Sequence, residues 1–367
     1  MAKLSDLPIE PLLEEICTRV RAEKRLVLAA PPGAGKTTRV PLALAGLIEG
    51  FEALPGKIVM LEPRRLAARM AAERMAATLG EKTGARIGLA TRIDRKVSSD
   101  TVVEVITDGL FTRRLLADPS LEGVSAVIFD EIHERSLNAD LGLALALETQ
   151  AVFREDLHLI AMSATLDTDK VAGRLDAPVI ESQGRQYPVE TKYLGRNRDR
   201  IEDQMAAAIE KAARAEQGSI LAFLPGAGEI RRTAERLTSL PANVSVHPLF
   251  GALSPREQDE AVRPAADGQR KVVLATDIAE SALTIDGVHV VVDSGLARVP
   301  EFEPASGTQV LRTIRAARAN VDQRRGRAGR LGPGVCYRLW DEEKTRGLIA
   351  APAPEILNAD LSGLLLS

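Results

Sequence analysis

Short apolar runs alternate with stretches of helical spacing along the whole chain. The uninterrupted runs are typical of strands covered on both faces, and in the first half they lie at residues 26–30, 57–61, 101–106, 124–129 and 157–162. The clearest helical patterns there span residues 7–24 and 66–79. In the second half, strands are predicted at 189–194, 219–224, 244–248, 271–275, 288–293 and 335–340, with clear helices at 201–216 and 229–240. This alternation predicts an α/β fold with mainly parallel sheets.

A polar stretch at residues 181–186 interrupts the apolar order, and we take it as a domain boundary. The predicted domains are 1–184 and 185–345, a division that suits a chain of 367 residues with 45% hydrophobic content. No segment has the length of a membrane helix and no leader pattern begins the chain, so we expect a cytoplasmic protein. Cys17 and Cys336 are too few and too distant to indicate a disulfide framework or a metal site.

The first apolar run leads into a glycine-rich turn that predicts a phosphate-binding loop. Glycines let backbone N–H groups turn toward phosphate, the lysine reaches the β and γ phosphates, and the first threonine can bind Mg²⁺. The residues assigned to this loop are Gly33, Ala34, Gly35, Lys36, Thr37 and Thr38. One departure from the usual pattern is Ala30, where a glycine is expected.

Two adjacent carboxylates, Asp130 and Glu131, follow the run at 124–129. This pattern fits a Mg²⁺-assisted hydrolase in which the first carboxylate holds the metal and the second accepts a proton from water. His133 follows closely and is equally compatible with an ordinary loop histidine.

Other polar residues also follow strands, where open α/β sheets bind ligands. Arg64 and Arg65 come after the second run, although a solvated basic turn is an alternative. Thr107 begins a helix after the third run. Ser163 and Thr165 close the fifth run, and their hydroxyls can bond neighbouring carboxylates and relay a small movement.

A cationic segment at 323–330 contains four arginines and two glycines. Three-residue spacing places Arg327 and Arg330 on one side of a predicted helix. Because glycine weakens a plain surface helix, we interpret the segment as approaching something anionic rather than as a solvated charge run. The net charge of −3 means that any nucleic acid must be bound by such local positive charge.

Taken in order, these motifs resemble the DEAH-box helicases of superfamily 2, and within them the bacterial HrpB-like branch. The matching stretches are residues 33–38, 62–68, 107–109, 130–133, 163–165, 275–286 and 323–330. The resemblance implies two tandem RecA-like P-loop domains, each a mainly parallel sheet with helices on both faces. It also implies that residues 346–367 begin a winged-helix domain with a helix over 354–366, and that the chain is a fragment of a longer protein.

The resemblance assigns roles residue by residue. It implies an ATP and Mg²⁺ site in which Lys36 and Thr37 bind the triphosphate and the metal, Asp130 holds Mg²⁺ and Glu131 activates water. The second domain would supply Gln323 and the arginine fingers Arg327 and Arg330. Further residues implied are Glu131 as a metal neighbour, Arg74 and Asp286 as nucleotide contacts, and His133, Ser163 and Thr165 as coupling residues. Val262 stands where many relatives carry a base-stacking aromatic, which suggests loose base selectivity.

The same resemblance implies a monomeric motor that moves 3′ to 5′ along single-stranded RNA and unwinds duplexes. The implied strand contacts are Arg64, Arg65, Thr107 and Thr276. An aromatic content of 3% favours a grip on the backbone over base stacking. Residues 297–313 fall where relatives insert a β-hairpin, with a plain loop as the alternative.

Two other functions remain open at this point. The chain could be a nucleic-acid-dependent ATPase that remodels RNA–protein complexes or acts on DNA without separating strands, because backbone contacts alone do not identify the sugar. A non-catalytic RNA-binding scaffold is the other, and the intact set of predicted catalytic residues argues against it.

Overall fold

The computed structural model describes residues 1–2, 6–164, 168–184, 187–195, 198–280, 285–303 and 305–361. The chain divides into two compact units, one of Met1–Gly184 with Pro354–Ser367 and the other of Arg185–Ala353. Each unit has its own sheet and its own hydrophobic core.

The first unit is built on a sheet that has eight strands within the described ranges. They are β1 Arg25–Ala29, β2 Lys57–Glu62, β3 Ile87–Ala90, β4 Arg95–Lys96, β5 Val103–Thr107, β6 Val124–Phe129, β7 His158–Ser163 and β8 Val179–Glu181. Their order across the sheet is β4-β3-β5-β2-β6-β7-β1-β8. All neighbouring strands are parallel except β3 and β4. Sequence reasoning missed β3, β4 and β8, which are only four, two and three residues long.

Helices cover both faces of this sheet. They are α1 Leu13–Glu23, α2 Lys36–Leu44, α3 Arg65–Thr78, α4 Asp108–Ala117, α5 Leu137–Val152 and α6 Asp169–Leu175. Alternate strand residues point to opposite faces. Leu28 and Met60 therefore share a core with α1, α2 and α3, whereas Val27 and Leu61 pack with α4, α5 and α6 on the other side.

The second unit has a parallel sheet of six strands and a separate hairpin among its described residues. Its strands are β9 Val189–Tyr193, β10 Ser219–Phe223, β11 Val244–Leu249, β12 Arg270–Ala275, β13 Val288–Asp293, β14 Leu296–Glu303, β15 Thr308–Arg315 and β16 Gly334–Arg338. The order in the sheet is β11-β12-β10-β13-β16-β9. Its helices are α7 Ile201–Ala215, α8 Ala227–Arg236, α9 Pro255–Val262, α10 Arg318–Gly326 and α11 Glu342–Arg346.

The sheet of the second unit is also covered on both faces. Ile220 and Ala222 share a core with α7 and α8. Phe223 points to the other face, where the guanidinium of Arg324 on α10 lies 5.1 Å from the centre of its ring. The predicted α/β architecture with two mainly parallel sheets is confirmed.

Strands β14 and β15 form an antiparallel hairpin whose register runs from Leu296 opposite Arg315 to Glu303 opposite Thr308. Pro300 lies within the first arm, opposite Leu311.

The helix predicted over 354–366 is not formed in its described part, residues 354–361. The chain there makes a single 3-10 turn, Glu355–Leu357. Ile356 and Leu357 are exposed, so no apolar face is buried to stabilise a helix. In the part of the chain that is described, no helix is both long and apolar enough to cross a membrane.

Candidate active site

The order of the strands in the first unit brings the predicted site residues to one edge of the sheet. Thr107 ends β5, Glu62 ends β2 beside it, and the two are register partners. Asp130 follows β6, and Ser163 ends β7 next to β1. Because carboxyl ends of parallel strands meet at a common edge, residues far apart in sequence become neighbours here.

The phosphate-binding loop joins β1 to α2 and depends on two glycines in left-handed backbone conformations. Gly33 has φ 88° and Gly35 has φ 97°, a region that disfavours residues with a Cβ. A Cβ on Gly35 would also lie 2.9 Å from Cδ1 of Leu7. Helix α2 then begins at Lys36 with its N-terminal N–H groups at the loop.

Ala30, the departure from the usual loop pattern, lies in a position that does not require glycine. Its backbone is outside the left-handed region and its side chain is fully buried. Its N–H donates to the carbonyl of Ser163 at 2.9 Å. The substitution therefore fits the fold of the loop.

Four residues form a compact cluster at the loop. Nζ of Lys36 lies 3.0 Å from Oε1 of Glu131 and 3.8 Å from Oδ1 of Asp130. The hydroxyl of Thr37 donates to Oδ2 of Asp130 at 2.5 Å. Lys36, Asp130 and Glu131 are each about 3% exposed, so their charges interact with little screening by water.

Burial and neighbouring charges shift the ionisation of this cluster. Burial lowers the pKa of Lys36, but Glu131 and Asp130 more than compensate, so its pKa is raised. The pKa of Asp130 is raised by burial, partly opposed by Lys36 and reinforced by Glu131. Lys36 therefore remains charged at neutral pH.

Glu62 is a site residue to which sequence reasoning assigned no role. It is fully buried, and both of its carboxylate oxygens are without a hydrogen-bond partner among the described residues. Its pKa is raised well above the ordinary value by burial and then by Asp130 and Glu131. The sequence did contain a signal for this residue, because Glu62 is a charged residue at the end of an apolar strand, β2, and β2 lies beside β6.

These residues fit a Mg²⁺–triphosphate group. The hydroxyl of Thr37 and the carboxylate of Asp130 are close enough to share one cation, directly or through water. Buried carboxyl groups around a single ammonium leave an excess of negative charge that a divalent cation would offset. Thr37, Asp130 and Glu131 are the side chains available to hold the metal, and Lys36 is available to the phosphates.

We call residues 130–134, which follow β6, the catalytic turn because they include the predicted catalytic residue Glu131. His133 connects this turn to the end of β7. Its Nδ1 accepts the N–H of Ala164 at 3.3 Å and lies 3.4 Å from Oε2 of Glu131. The fully buried Ser163 in turn accepts from Ala30 through its carbonyl. His133 and the end of β7 thus give a second route of contacts from Glu131 to Ala30, just before the phosphate loop. Thr165 lies outside the described residues.

The predicted strand contacts of the first unit lie at the same edge. Arg64, just before α3, forms an ion pair of 3.1 Å with Glu134 in the catalytic turn. Arg65 is exposed as the first residue of α3. Thr107 is the N-cap residue of α4 and is half-buried. Arg74 lies on α3 and is exposed.

Asp108, the first residue of α4, is a second group to which sequence reasoning assigned no role. It is buried and accepts a 2.9 Å hydrogen bond from the hydroxyl of Ser136. Its pKa is raised to about 7, mainly by burial. The hydrogen bond from Ser136 lowers the pKa, whereas the negative charges of Glu134 and Glu355 raise it. Through its bond with Ser136, Asp108 joins the end of β5, where Thr107 lies, to the start of α5.

In the second unit, the cationic segment is organised around Arg324. This side chain is fully buried and forms 3.0 Å ion pairs with Glu280 and Asp293. Nε of Arg327 donates to the carbonyl of Glu280 at 2.8 Å, and Arg327 is also buried. Gln323 lies on α10 and is half-buried.

The prediction that Arg327 and Arg330 lie on one side of a helix needs one correction, because the helix is a 3-10 turn, in which residues three apart share a side, and not the α-helix before it. Helix α10 ends at Gly326, Arg327 begins a 3-10 turn that ends at Gly329, and Arg330 follows it. The glycine argument also needs correction. A Cβ on Gly329 would lie 2.6 Å from the carbonyl oxygen of Tyr187, so this glycine admits neighbouring backbone rather than an anion.

Three further predicted residues of the second unit are Thr276, Asp286 and Val262. Thr276 follows β12, and its hydroxyl accepts from the N–H of Ile278 at 3.5 Å. Asp286 is exposed just before β13, at the opposite end of that strand from Asp293. Val262 ends α9 and is 8% exposed, which leaves little surface for a nucleotide base.

Two protein families match this chain. Residues 11–172 match the DEAD/DEAH box helicase family. Residues 202–332 match the helicase conserved C-terminal domain.

Relatives of known name match nearly all of the chain. It is 47% identical over 366 residues to the ATP-dependent RNA helicase HrpB of Escherichia coli (strain K12). The aligned region covers 99% of this chain and 45% of HrpB. It is 35% identical over 369 residues to the ATP-dependent RNA helicase HrpA of the same organism, covering 98% of this chain and 28% of HrpA. The chain thus spans less than half the length of these relatives.

Two solved structures of HrpB from E. coli have the same fold. The structure described as a DEAH/RHA helicase matches with a TM-score of 0.93 and 47% identity, covering 98% of this chain and 46% of that one. The structure described as a DExH-box NTPase matches with a TM-score of 0.87, covering 99% and 45%.

Proposed function

Because the chain belongs to the DEAD/DEAH box helicases and carries both of their helicase domains, we propose that it is the ATP-hydrolysing motor of an RNA helicase. The resemblance to the HrpB-like branch that the motifs predicted is confirmed at 47% identity. The proposal concerns the activity of this chain, which spans 45% of HrpB.

One observation carries the proposal: two residues of the phosphate loop contact two carboxylates that lie more than 90 positions away in the chain. Lys36 lies within 4 Å of both Asp130 and Glu131, and Thr37 donates to Asp130. A lysine at a phosphate-binding loop, a hydroxyl–carboxylate pair for Mg²⁺ and a second carboxylate are the parts needed to hydrolyse a nucleoside triphosphate.

The chain's own groups have separate tasks in this reaction. Lys36 and the N–H groups at the start of α2 bind and orient the phosphates. Glu131 accepts the proton of the attacking water, and its ion pair with Lys36 holds its carboxylate at the loop. Bound Mg²⁺, held by Thr37 and Asp130, would neutralise charge on the phosphate oxygens.

We assign Gln323, Arg327 and Arg330 of the second unit to the γ-phosphate, with the two arginines as arginine fingers. Such a charge contributes about 10³ to 10⁵ in rate in comparable systems. The buried ion pairs of Arg324 and the bond from Arg327 to Glu280 support a fixed backbone for this segment. Arg74 and Asp286 are proposed nucleotide contacts, and His133, Ser163 and Thr165 are proposed coupling residues.

For the nucleic acid we propose single-stranded RNA, gripped by Arg64, Arg65, Thr107 and Thr276 and moved in the 3′ to 5′ direction with duplex unwinding. The common edge shared by the first three residues supports one continuous track in the first unit. We further propose that the chain acts as a cytoplasmic monomer.

The catalytic assignment is tested by Lys36→Ala and Glu131→Gln. Lys36→Ala abolishes ATP binding and turnover, whereas Glu131→Gln retains binding of a fluorescent ATP analogue and loses at least about 100-fold in kcat, as expected for a general base. Glu122→Gln, an exposed carboxylate change on a loop of the same unit, is the matched control. Undiminished turnover by purified Glu131→Gln would refute the assignment.

The polymer and the direction need separate measurements. ATP turnover is measured in the presence of RNA and of DNA oligomers of matched sequence. Stimulation by RNA but not by DNA supports RNA recognition. Displacement of duplexes with 3′ or 5′ overhangs then tests unwinding and polarity. ATPase stimulation without displacement would favour a remodelling enzyme.

A further inference from the structure

The chain returns to the first unit after completing the second. Residues from Pro354 onward belong to the first unit, and among the described residues there Glu355 forms hydrogen bonds to Arg135 and Leu137. Its Oε2 accepts the N–H of Leu137 at 2.8 Å. Its own N–H donates to the carbonyl of Arg135 at 3.1 Å.

The segment that Glu355 contacts is the continuation of the catalytic turn. Glu131 has φ 51° and Arg135 has φ 54°, and the 3-10 turn Ile132–Glu134 lies between them. Left-handed conformations of non-glycine residues are unfavourable and persist only where surrounding contacts fix them. The contacts at Arg135 therefore influence the backbone that carries Glu131.

Backbone hydrogen bonds within the turn and an ion pair to α5 help to fix its conformation. The N–H of Glu134 donates to the carbonyl of Glu131 at 2.9 Å, and that of Arg135 donates to the carbonyl of Ile132 at 3.2 Å. The guanidinium of Arg135 pairs with Asp140 on α5 at 2.8 Å. Glu355 adds the bonds that hold the backbone on either side of Ser136.

The charge of Glu355 also suits its position. Leu137 is the first residue of α5, a helix of 16 residues whose N-cap is Ser136. The first N–H groups of a helix have no partner within the helix, and a carboxylate is favourable there. Ser136 in turn donates to Asp108, the neighbour of Thr107.

We propose that Glu355 is a positioning residue of the ATPase. By fixing Arg135–Leu137 it holds the turn of Glu131 in its productive backbone conformation, and it ties the chain that returns from the second unit to the catalytic turn. This inference rests on the proposed function for its kinetic consequence, whereas its structural consequence can be measured without turnover.

The kinetic test uses Glu355→Ala and Glu355→Gln in the full chain, with kcat and KM for ATP measured in saturating single-stranded RNA. Glu355→Ala lowers kcat about tenfold, the rate equivalent of one charge-assisted hydrogen bond. KM changes less than about twofold because Lys36 and Thr37 are untouched. Glu355→Gln retains kcat within about threefold, since its amide oxygen can still accept from Leu137.

The control is Glu343→Ala, which removes an exposed glutamate from α11, and it leaves kcat and KM unchanged. The expected pattern is a lower kcat at constant KM in Glu355→Ala, with kcat retained in Glu355→Gln. A general loss of packing would not produce this pattern. An unchanged kcat in Glu355→Ala, in a parent whose turnover Lys36→Ala abolishes, overturns the proposal.

Hydrogen exchange separates this inference from the proposed function. In Glu355→Ala the amides of Glu134 and Arg135 exchange at least about fivefold faster because the turn opens more often. Their N–H groups donate to Glu131 and Ile132, so faster exchange reports opening of the turn and not the loss of a direct bond to Glu355. Unaltered exchange at both amides overturns the positioning role. Faster exchange in a protein without ATP turnover supports the positioning role and refutes the proposed function.

Discussion

The hydroxyl of Thr37 donates to the carboxylate of Asp130 at 2.5 Å, although 93 positions separate the two residues in the chain. Thr37 lies in the first turn of α2, and Asp130 directly follows β6. Their contact places the two proposed Mg²⁺ ligands side by side.

Thr37→Val, which keeps the shape of the side chain and removes its oxygen, weakens the metal site. The Mg²⁺ concentration for half-maximal ATP turnover rises by about tenfold or more, comparable to losses at other metal sites when a supporting partner is removed. The measurement is a Mg²⁺ titration of turnover at fixed ATP. Thr78→Val is the control, because the Thr78 hydroxyl donates to the carbonyl of Arg74 in its own helix. An unchanged titration curve would remove Thr37 from the metal site.

Asp108 makes the stability of the first unit depend on pH. Its pKa of about 7 exceeds the ordinary value near 4. The folded protein therefore keeps a proton that the unfolded chain has released, so stability is fully present below about pH 4 and falls as pH rises to about 7. The loss amounts to about 4 kcal/mol for a shift of this size.

Asp108→Asn removes this dependence. Between pH 5 and pH 7 the free energy of unfolding from denaturant titrations falls less steeply in Asp108→Asn than in the unmodified protein. Asp100→Asn, at an exposed position of the same unit, keeps the original slope. Equal slopes in all three proteins would show that Asp108 does not carry the effect.

Arg324→Ala destabilises the second unit strongly because it leaves Glu280 and Asp293 buried without their cation. The expected loss is about 3 to 5 kcal/mol. Trp340 is the single tryptophan of the chain and is mostly buried in this unit, so its fluorescence reports unfolding there.

Arg325→Ala is the matched control on the same helix. Arg325 donates to the hydroxyl of Thr191 at 2.9 Å and to the carbonyl of Val189 at 2.8 Å, both neutral acceptors. Its loss costs about 1.5 kcal/mol, because no buried charge is stranded. If the two variants were equally stable, the buried ion pairs of Arg324 would not be the main stabilising contacts of α10.

Gly329→Ala and Gly326→Ala have opposite effects although the glycines are three residues apart. A Cβ at Gly329 would press on the backbone of Tyr187 and lie 2.7 Å from Val189, which costs about 1 to 3 kcal/mol as overpacking. No heavy atom in the described ranges lies within 4 Å of a Cβ at Gly326, and Gly326 has helical φ. Alanine there stabilises the unit by up to about 1 kcal/mol. Urea unfolding followed by Trp340 measures both, and a stable Gly329→Ala would contradict the crowding.

The sequence by itself determined the local parts of this protein. The longer strands of the two sheets, the phosphate loop and the carboxylates after β6 were predictable because apolar runs, positive-φ glycines and motif spacing are properties of short segments. The parallel α/β class also followed, since strands alternated with helices.

Only the tertiary structure decided which of these parts meet. The burial of Glu62 beside Asp130, the pairing of Arg324 with two carboxylates and the bond from Leu137 to Glu355 join residues distant in the chain. The close approach of Gly329 to the backbone of Tyr187 likewise joins residues that are distant in the chain. Such contacts are set by the order of strands across the sheet and by the space left between elements, and no short segment of sequence contains either.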